Sequence, residues 1–457
     1  MSKNAEKAAK KAEKKAIKNA AKADAKKFNM TSDASNRRYI RWQKLDNTAL
    51  LFPAIAGENM TNVYRISITL KEKVRPELLQ QALDIILPKF DGFNVRLRSG
   101  VFWYYFEENG KPAPRVTEEV LFPCRYIRAN RNHSYLFQVT YYQCRINLEV
   151  FHVLADGMGG VNFLRELTYQ YLRLAHAELA NQCEDRISDQ TSFSVEDSFL
   201  KNYKSAKPSG FEKKKAYLIK EEKLPAGEFA LMHGYMKVEE LKAVSHRLDV
   251  SLNEYLVSVF IYSVYTEHMH RAADSRPIRV AVPVNLRPYF DSDTTRNFFI
   301  MVSAEFNPTK DDMTFEDILT AVKESLRSQI TKEHMEDLFS YSVSNQENKF
   351  LRAVPLPLKK PAIRLVYSKS ATANTSTITN IGNLQVEDEY APYIEKVTAC
   401  IAMSKGQSLK GTICSYNGML CFTFSSIFRE TTIQKAFFRK LTADGVNVSI
   451  ETNNVYY

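Results

Sequence analysis

The sequence predicts an α+β protein of two halves built on mixed sheets, on three observations. The 457 residues are about three times the length of a typical single domain, so two sizeable domains are expected, each able to bury its own core. An apolar share of 44% and a charged share of 25% are those of an ordinary globular chain. Strand-like and helix-like stretches follow one another without a regular β-α-β period, which argues against a doubly wound parallel sheet.

The elements follow in order. Residues 1–27 hold ten lysines against three acids, which is +7 of the net +11, so the basic character belongs mostly to this segment. Ile17 is its only large aliphatic residue. It reads as a Lys/Ala-rich disordered or helical extension with nothing to bury. The sharper alternative is weak electrostatic contact of this tail with an anionic surface. No apolar run approaches the ~20 residues needed to cross a bilayer, and the start lacks an apolar signal segment. The body therefore reads as soluble and cytoplasmic. The six cysteines are scattered, with only Cys414 and Cys421 close together, flanking a turn, and are expected as reduced thiols rather than a zinc site.

The first half spans 28–205. Alternation predicts a half-buried strand over 62–70, with Tyr64, Ile66, Ile68 and Leu70 on one face and Arg65, Ser67 and Thr69 on the other. Pro76 opens an amphipathic helix carrying Leu79, Leu83 and Ile86, which ends before Pro88. Aromatic-rich strands are expected over 100–107 and 135–142. Over 145–152, Ile146, Leu148, Val150 and His152 share one face. A helix then follows the glycines at 157, 159 and 160. Charged runs with Pro and Gly punctuation suggest a linker over 206–234, and the second half spans 235–457. There, Ser251 with Glu254 and Thr314 with Asp317 read as capping boxes opening helices. Strands are expected over 279–286, 298–306, 376–384 and 397–403. Asn417-Gly418 signals a hairpin between 411–416 and 419–424, and a final helix begins at Thr431 or Thr432.

The chemistry gathers at the strand-to-helix corner from Phe151 to Gly160. An imidazole exchanges a proton near neutral pH, and the glycines allow close approach to the backbone. Asp156 either returns beneath the ring or turns towards a cation elsewhere; the plainer alternative is a buried histidine with an aspartate capping a helix. Phosphate loops, zinc spacings, nucleophile elbows and aromatic RNA-binding motifs are missing, so no metal and no specific nucleic acid are expected. His268 and His270 read as solvated. His233 and His334 have no partner at metal spacing.

The run His152-Val-Leu-Ala-Asp156-Gly157 resembles the His-x-x-x-Asp-Gly motif of the chloramphenicol-acetyltransferase-like superfamily, which includes condensation domains and alcohol acetyltransferases. Pro283-Val284-Asn285-Leu286-Arg287, followed by Asn297-Phe298-Phe299, is similar to its second-half segments, and Thr379-Asn380-Ile381-Gly382 to another of its strands. The resemblance covers residues 35–457, with the alcohol acetyltransferase branch closest. It implies two similar halves with an active-site tunnel between them. Its catalytic set is His152 as general base, Asp156 paired with Arg287, and Gly157 at the close-approach position. It further implies acyl-CoA, such as acetyl-CoA, as co-substrate with no permanently bound cofactor, and a small-molecule acyl donor and an alcohol acceptor as partners. Phe151 stands where condensation domains carry a second histidine, and no carrier-protein segment is present. Ser376 and Thr377 are the candidate oxyanion donors. The expected function is an acyl-CoA-dependent O-acyltransferase. The alternatives are a carrier-dependent, N- or lipid acyltransferase of the same fold, and a non-catalytic scaffold with a basic docking tail.

Overall fold

The computed structural model describes residues 42–180, 186–204, 214–347 and 352–455. The 1–27 extension, Cys183 and residues 206–213 of the expected linker lie outside the described residues. The first half runs β1 (Trp42–Lys44), α1 (Phe52–Ile55), β2 (Val63–Leu70), α2 (Pro76–Ile86), β3 (Val95–Ser99), β4 (Tyr104–Glu108), β5 (Thr117–Glu118), β6 (Phe137–Tyr142), β7 (Arg145–Phe151), α3 (Gly157–Ala175), α4 (Ala177–Ala180) and α5 (Ser198–Lys201). The second continues with β8 (Ala230–Lys237), α6 (Val238–Arg247), α7 (Leu252–Glu267), β9 (Ile278–Asn285), α8 (Arg287–Phe290), β10 (Phe299–Phe306), α9 (Phe315–Gln329), α10 (Lys332–Glu347), α11 (Leu356–Ser370), β11 (Ser376–Asn383), β12 (Ile394–Ile401), β13 (Leu409–Tyr416), β14 (Met419–Ser426), α12 (Thr432–Ala443) and β15 (Ser449–Thr452).

Two mixed sheets dominate, of order β12-β2-β7-β6-β5 and β10-β9-β11-β13-β14-β8-β15, with a small third sheet β1-β4-β3. The α+β class expected from the sequence is therefore the one observed. Each half contains a hairpin followed by a helix: β6–β7 then α3, and β13–β14 then α12. In the first half, α2 and α3 pack together and α3 lies on β2. In the second, α7 is apolar nearly all round and sits among β9, α9 and α12, as a buried core helix must.

Local signals account for several element ends. Both capping boxes form: the Ser251 hydroxyl accepts from the Glu254 N–H while the Glu254 carboxylate accepts from the Ser251 N–H, and Thr314 with Asp317 repeats the arrangement. Asn417 and Gly418 have φ of 47° and 74°, the left-handed pair that a two-residue hairpin turn demands.

Other expectations change. The strand over 62–70 is buried on both faces rather than one, because its polar side is internally satisfied and covered. Arg65 pairs with Glu149 and Glu119, Ser67 donates to Asn147, and Leu231 and His233 of β8 border the same face. The end of the expected linker, from Ala230, is strand β8 between β14 and β15. Gly234 within it is a packing residue, since a Cβ there would lie 2.2 Å from the Phe438 ring. Lastly, β12 from the second half pairs antiparallel with β2 and completes the first half's sheet.

Candidate active site

Strand β7 delivers the histidine. Its buried Ile146, Leu148 and Val150 fix the strand in the core, and one residue past its end the His152 N–H donates to the Asn62 carbonyl at 2.9 Å. The imidazole then enters an aromatic cage made by both halves. Phe52 of α1 stacks on it at 4.8 Å and 25°, Tyr64 of β2 meets it edge-on at 5.2 Å, and Phe299 of β10 lies at 5.5 Å. Such packing restricts the ring to one orientation.

A hydrogen-bonded chain sets the tautomer. Nδ1 of His152 lies 2.9 Å from the Asn297 side-chain oxygen, and the Asn297 amide donates to Oδ2 of Asp46 at 3.0 Å. Asp46 also accepts from the Ala49 N–H at 2.7 Å. In its carboxylate form Asp46 accepts only, so the Asn297 N–H₂ faces Asp46 and its oxygen faces the ring. Nδ1 therefore carries the proton and Nε2 offers its lone pair, with no hydrogen-bond partner among the described residues. Burial holds the His152 pKa below its usual value against the opposing pull of Asp156, so the ring is neutral at physiological pH. Nearby Lys410 is buried with Nζ donating to Ala402 O at 2.9 Å; burial brings its pKa down to about 7, and its charge opposes protonation of His152.

Asp156 turns away from the ring. It caps α3, its Oδ1 accepting from the Gly159 N–H at 3.2 Å. Arg287 clamps it in a bidentate pair, Nη1 to Oδ2 at 2.8 Å and Nη2 to Oδ1 at 3.1 Å, and the Phe298 N–H adds a further bond at 3.1 Å. The remaining guanidinium donors reach Thr294 O, Arg296 O and Asn285 Oδ1. Two of the three open readings of Asp156 thus combine, the helix cap and the cation 131 residues away in sequence, and the third, a return beneath the ring, does not hold. The close approach between protein segments falls at Gly159, where a Cβ would stand 2.1 Å from Thr295 O, whereas one at Gly157 would meet only the Ile381 side chain at an ordinary 3.5 Å. Ser376 and Thr377 spend their hydroxyl donors within the fold, on Leu409 O and on the Gln407 side chain, each at 2.7 Å.

Several site residues escaped the sequence reading. Asn297 was visible only as part of an Asn-Phe-Phe segment and Phe52 only as one aromatic among many. Asp46 carries no local signal at all: it is placed by Arg296, which binds Lys44 O at 3.0 Å and the Gln43 side chain and so holds the 42–46 segment against the second half. Among the described residues no cluster of three or more His, Cys, Asp or Glu side chains is arranged to hold a metal ion.

The architecture of the two halves is the chloramphenicol-acetyltransferase-like fold, shared with acetyltransferases and condensation domains of known structure. The chain is similar to polyketide synthase associated protein 5 from Mycobacterium tuberculosis, at 13% identity and a TM-score of 0.57 over 88% of this chain and 98% of that one. It is also similar to TRI101 of F. sporotrichioides, solved with coenzyme A and T-2, at 11% identity and TM-score 0.57 over 89% and 99%. A third likeness is to the condensation domain of the Monacolin K polyketide synthase MokA, at 9% and 0.55 over 89% and 97%. No protein-family model and no curated protein matches the sequence.

Proposed function

We propose that this protein is an acyltransferase that moves an acyl group from a coenzyme A thioester to an alcohol, with His152 as general base. The observation that carries the reading is the caged imidazole with Nδ1–H held by Asn297 and Nε2 left open. Nε2 takes the proton of the acceptor hydroxyl as its oxygen attacks the thioester carbonyl, forming the C–O bond and a tetrahedral oxyanion. Collapse breaks the C–S bond, and the imidazolium returns the same proton to the departing thiolate, giving ester and free thiol. Asp156 and Arg287 touch neither reactant; they hold the corner to the second half. The five described cysteines are free thiols, which fits a cytoplasmic setting. The likeness to a condensation domain keeps a carrier-borne donor or an amine acceptor as the second reading, served by the same base.

The test is thiol release from acetyl-CoA and longer acyl-CoAs by the protein and by His152→Ala, with and without a panel of alcohols and amines. Removal of the base is expected to cost ~10²–10⁴-fold, the usual range for general-base catalysis, with release in the intact protein accelerated by an alcohol. Equal release by both proteins would overturn the reading. Acceleration by amines alone would favour the second.

A further inference from the structure

Helix α11 wears its apolar residues on the outside. Leu358, Leu365 and Val366 are 68%, 60% and 68% exposed, while Leu356 is the helix's buried residue. With exposed Ala362 they fall at steps of four, three and one, a single stripe turned to solvent. Beside it the β3–β4 turn presents Val101, Phe102 and Trp103, which are 67%, 39% and 42% exposed. Turn and helix are one surface: the Leu356 N–H donates to Val101 O at 2.7 Å and Lys359 Nζ to Phe102 O at 3.1 Å. Lys369 is exposed at the end of the stripe, and three more cations lie on the rest of the helix, Lys359 and Lys360 half-buried against the turn. Lys359 lies over the Trp103 ring at 5.3 Å and Lys360 over Tyr104 at 5.1 Å, and residues 356–370 hold Lys359, Lys360, Arg364 and Lys369 with no acid. None of these four pairs with a carboxylate among the described residues.

Exposed aliphatics, a tryptophan at the rim and cations without acidic neighbours complement one occupant. A bilayer takes up the aliphatic stripe, seats Trp103 at headgroup depth and offers phosphates to the lysines. A second copy of the chain would bring the same cations face to face, which costs rather than gains energy. We propose that α11 and the 100–103 turn form a docking face for an anionic phospholipid membrane. The contact is peripheral, since no described helix is long and apolar enough to span a bilayer. It is also close to the site: α11 packs on α1, Arg364 donates to Ala54 O at 2.7 Å, and Phe52 of that short helix stacks on His152.

The test is flotation of the full chain with vesicles of phosphatidylcholine alone or mixed with phosphatidylserine. The chain is expected to float with the mixed vesicles and not with phosphatidylcholine alone, more weakly as salt rises. Leu365→Glu with Val366→Glu should abolish flotation, and Lys369→Ala should weaken it roughly fivefold. These exposed positions leave the melting temperature unchanged, which separates lost docking from lost folding. A full-length variant with the lysines of residues 1–27 changed to glutamine isolates the tail. Flotation that persists in it and falls with Leu365→Glu supports the docking face. Flotation indifferent to the glutamate pair, or no flotation together with a dimer that the pair dissolves, overturns it.

Discussion

Asp46 serves His152 only as a carboxylate, and its burial works against that charge. Removal from water raises its pKa from the ordinary carboxyl range to about 7, against hydrogen bonds from Asn297 and Ala49. Protonated, it becomes a donor, for which the matching partner is the Asn297 oxygen. The amide then turns its N–H₂ to Nδ1, and the proton moves to Nε2, where a base is needed. Activity should therefore fall as pH drops through about 7, although burial places the histidine's own protonation lower. Stability runs the other way. The folded carboxyl is raised while the unfolded one stays near ~3.9, so between these values the native state binds the extra proton and stability declines as pH rises, levelling above about 7. Asp46→Asn should lower kcat with little change in KM, move the acid limb of the profile down to the titration of His152, and flatten the pH dependence of melting. A profile and melting curve identical to the unsubstituted protein would remove Asp46 from the relay. His152 and Asp156 were legible because the four-residue step between them is a local motif, and Arg287 through a second local segment. Asp46 was not, because its role exists only through Asn297, 251 residues away.

The α3 N-terminus is the element that ties the halves, and its two supports differ in strength. A capping bond contributes ~0.5–2 kcal/mol, whereas stranding one member of a buried ion pair costs on the order of 3–5 kcal/mol. Side-chain exposures of 12% for Arg287 and 7% for Asp156 make this a largely buried pair, with the carboxylate the more enclosed partner. Arg287→Met keeps the apolar stem and strands the Asp156 carboxylate. Asp156→Asn instead leaves the arginine with three other acceptors, Thr294 O, Arg296 O and Asn285 Oδ1. Urea unfolding should therefore show a loss of ~3–5 kcal/mol for Arg287→Met and a smaller one for Asp156→Asn; the reverse order would mean the cap, not the charge pair, dominates. Elements with self-contained signals, such as the boxes at Ser251 and Thr314 and the Asn417-Gly418 turn, were readable from sequence. Those defined by distant packing were not: β8 holds a glycine that only the Phe438 ring explains, and α11 presents an apolar face that no core-facing pattern would anticipate.

At the scale of the molecule the halves share their backbone. Strand β12 leaves the second half to pair with β2 from Tyr64 to Leu70, and Ile394, Val397, Ala399 and Cys400 enter the first hydrophobic core. Tyr390 stacks on Tyr169 of α3 at 3.9 Å, binding the approach to that strand as well. Neither core is complete without chain from both sides of the nominal linker, so local melting of one half exposes β2 as an open edge. Calorimetry of the full chain should thus give one endotherm with matching calorimetric and van't Hoff enthalpies, and Val397→Asp, which puts a charge into the shared core, should lower that single transition rather than split it. Two resolved transitions, only one of them moved by Val397→Asp, would show halves that fold independently. In that case the site between them would open and close by rigid motion of the halves, and the cage around His152 would be assembled only when they meet.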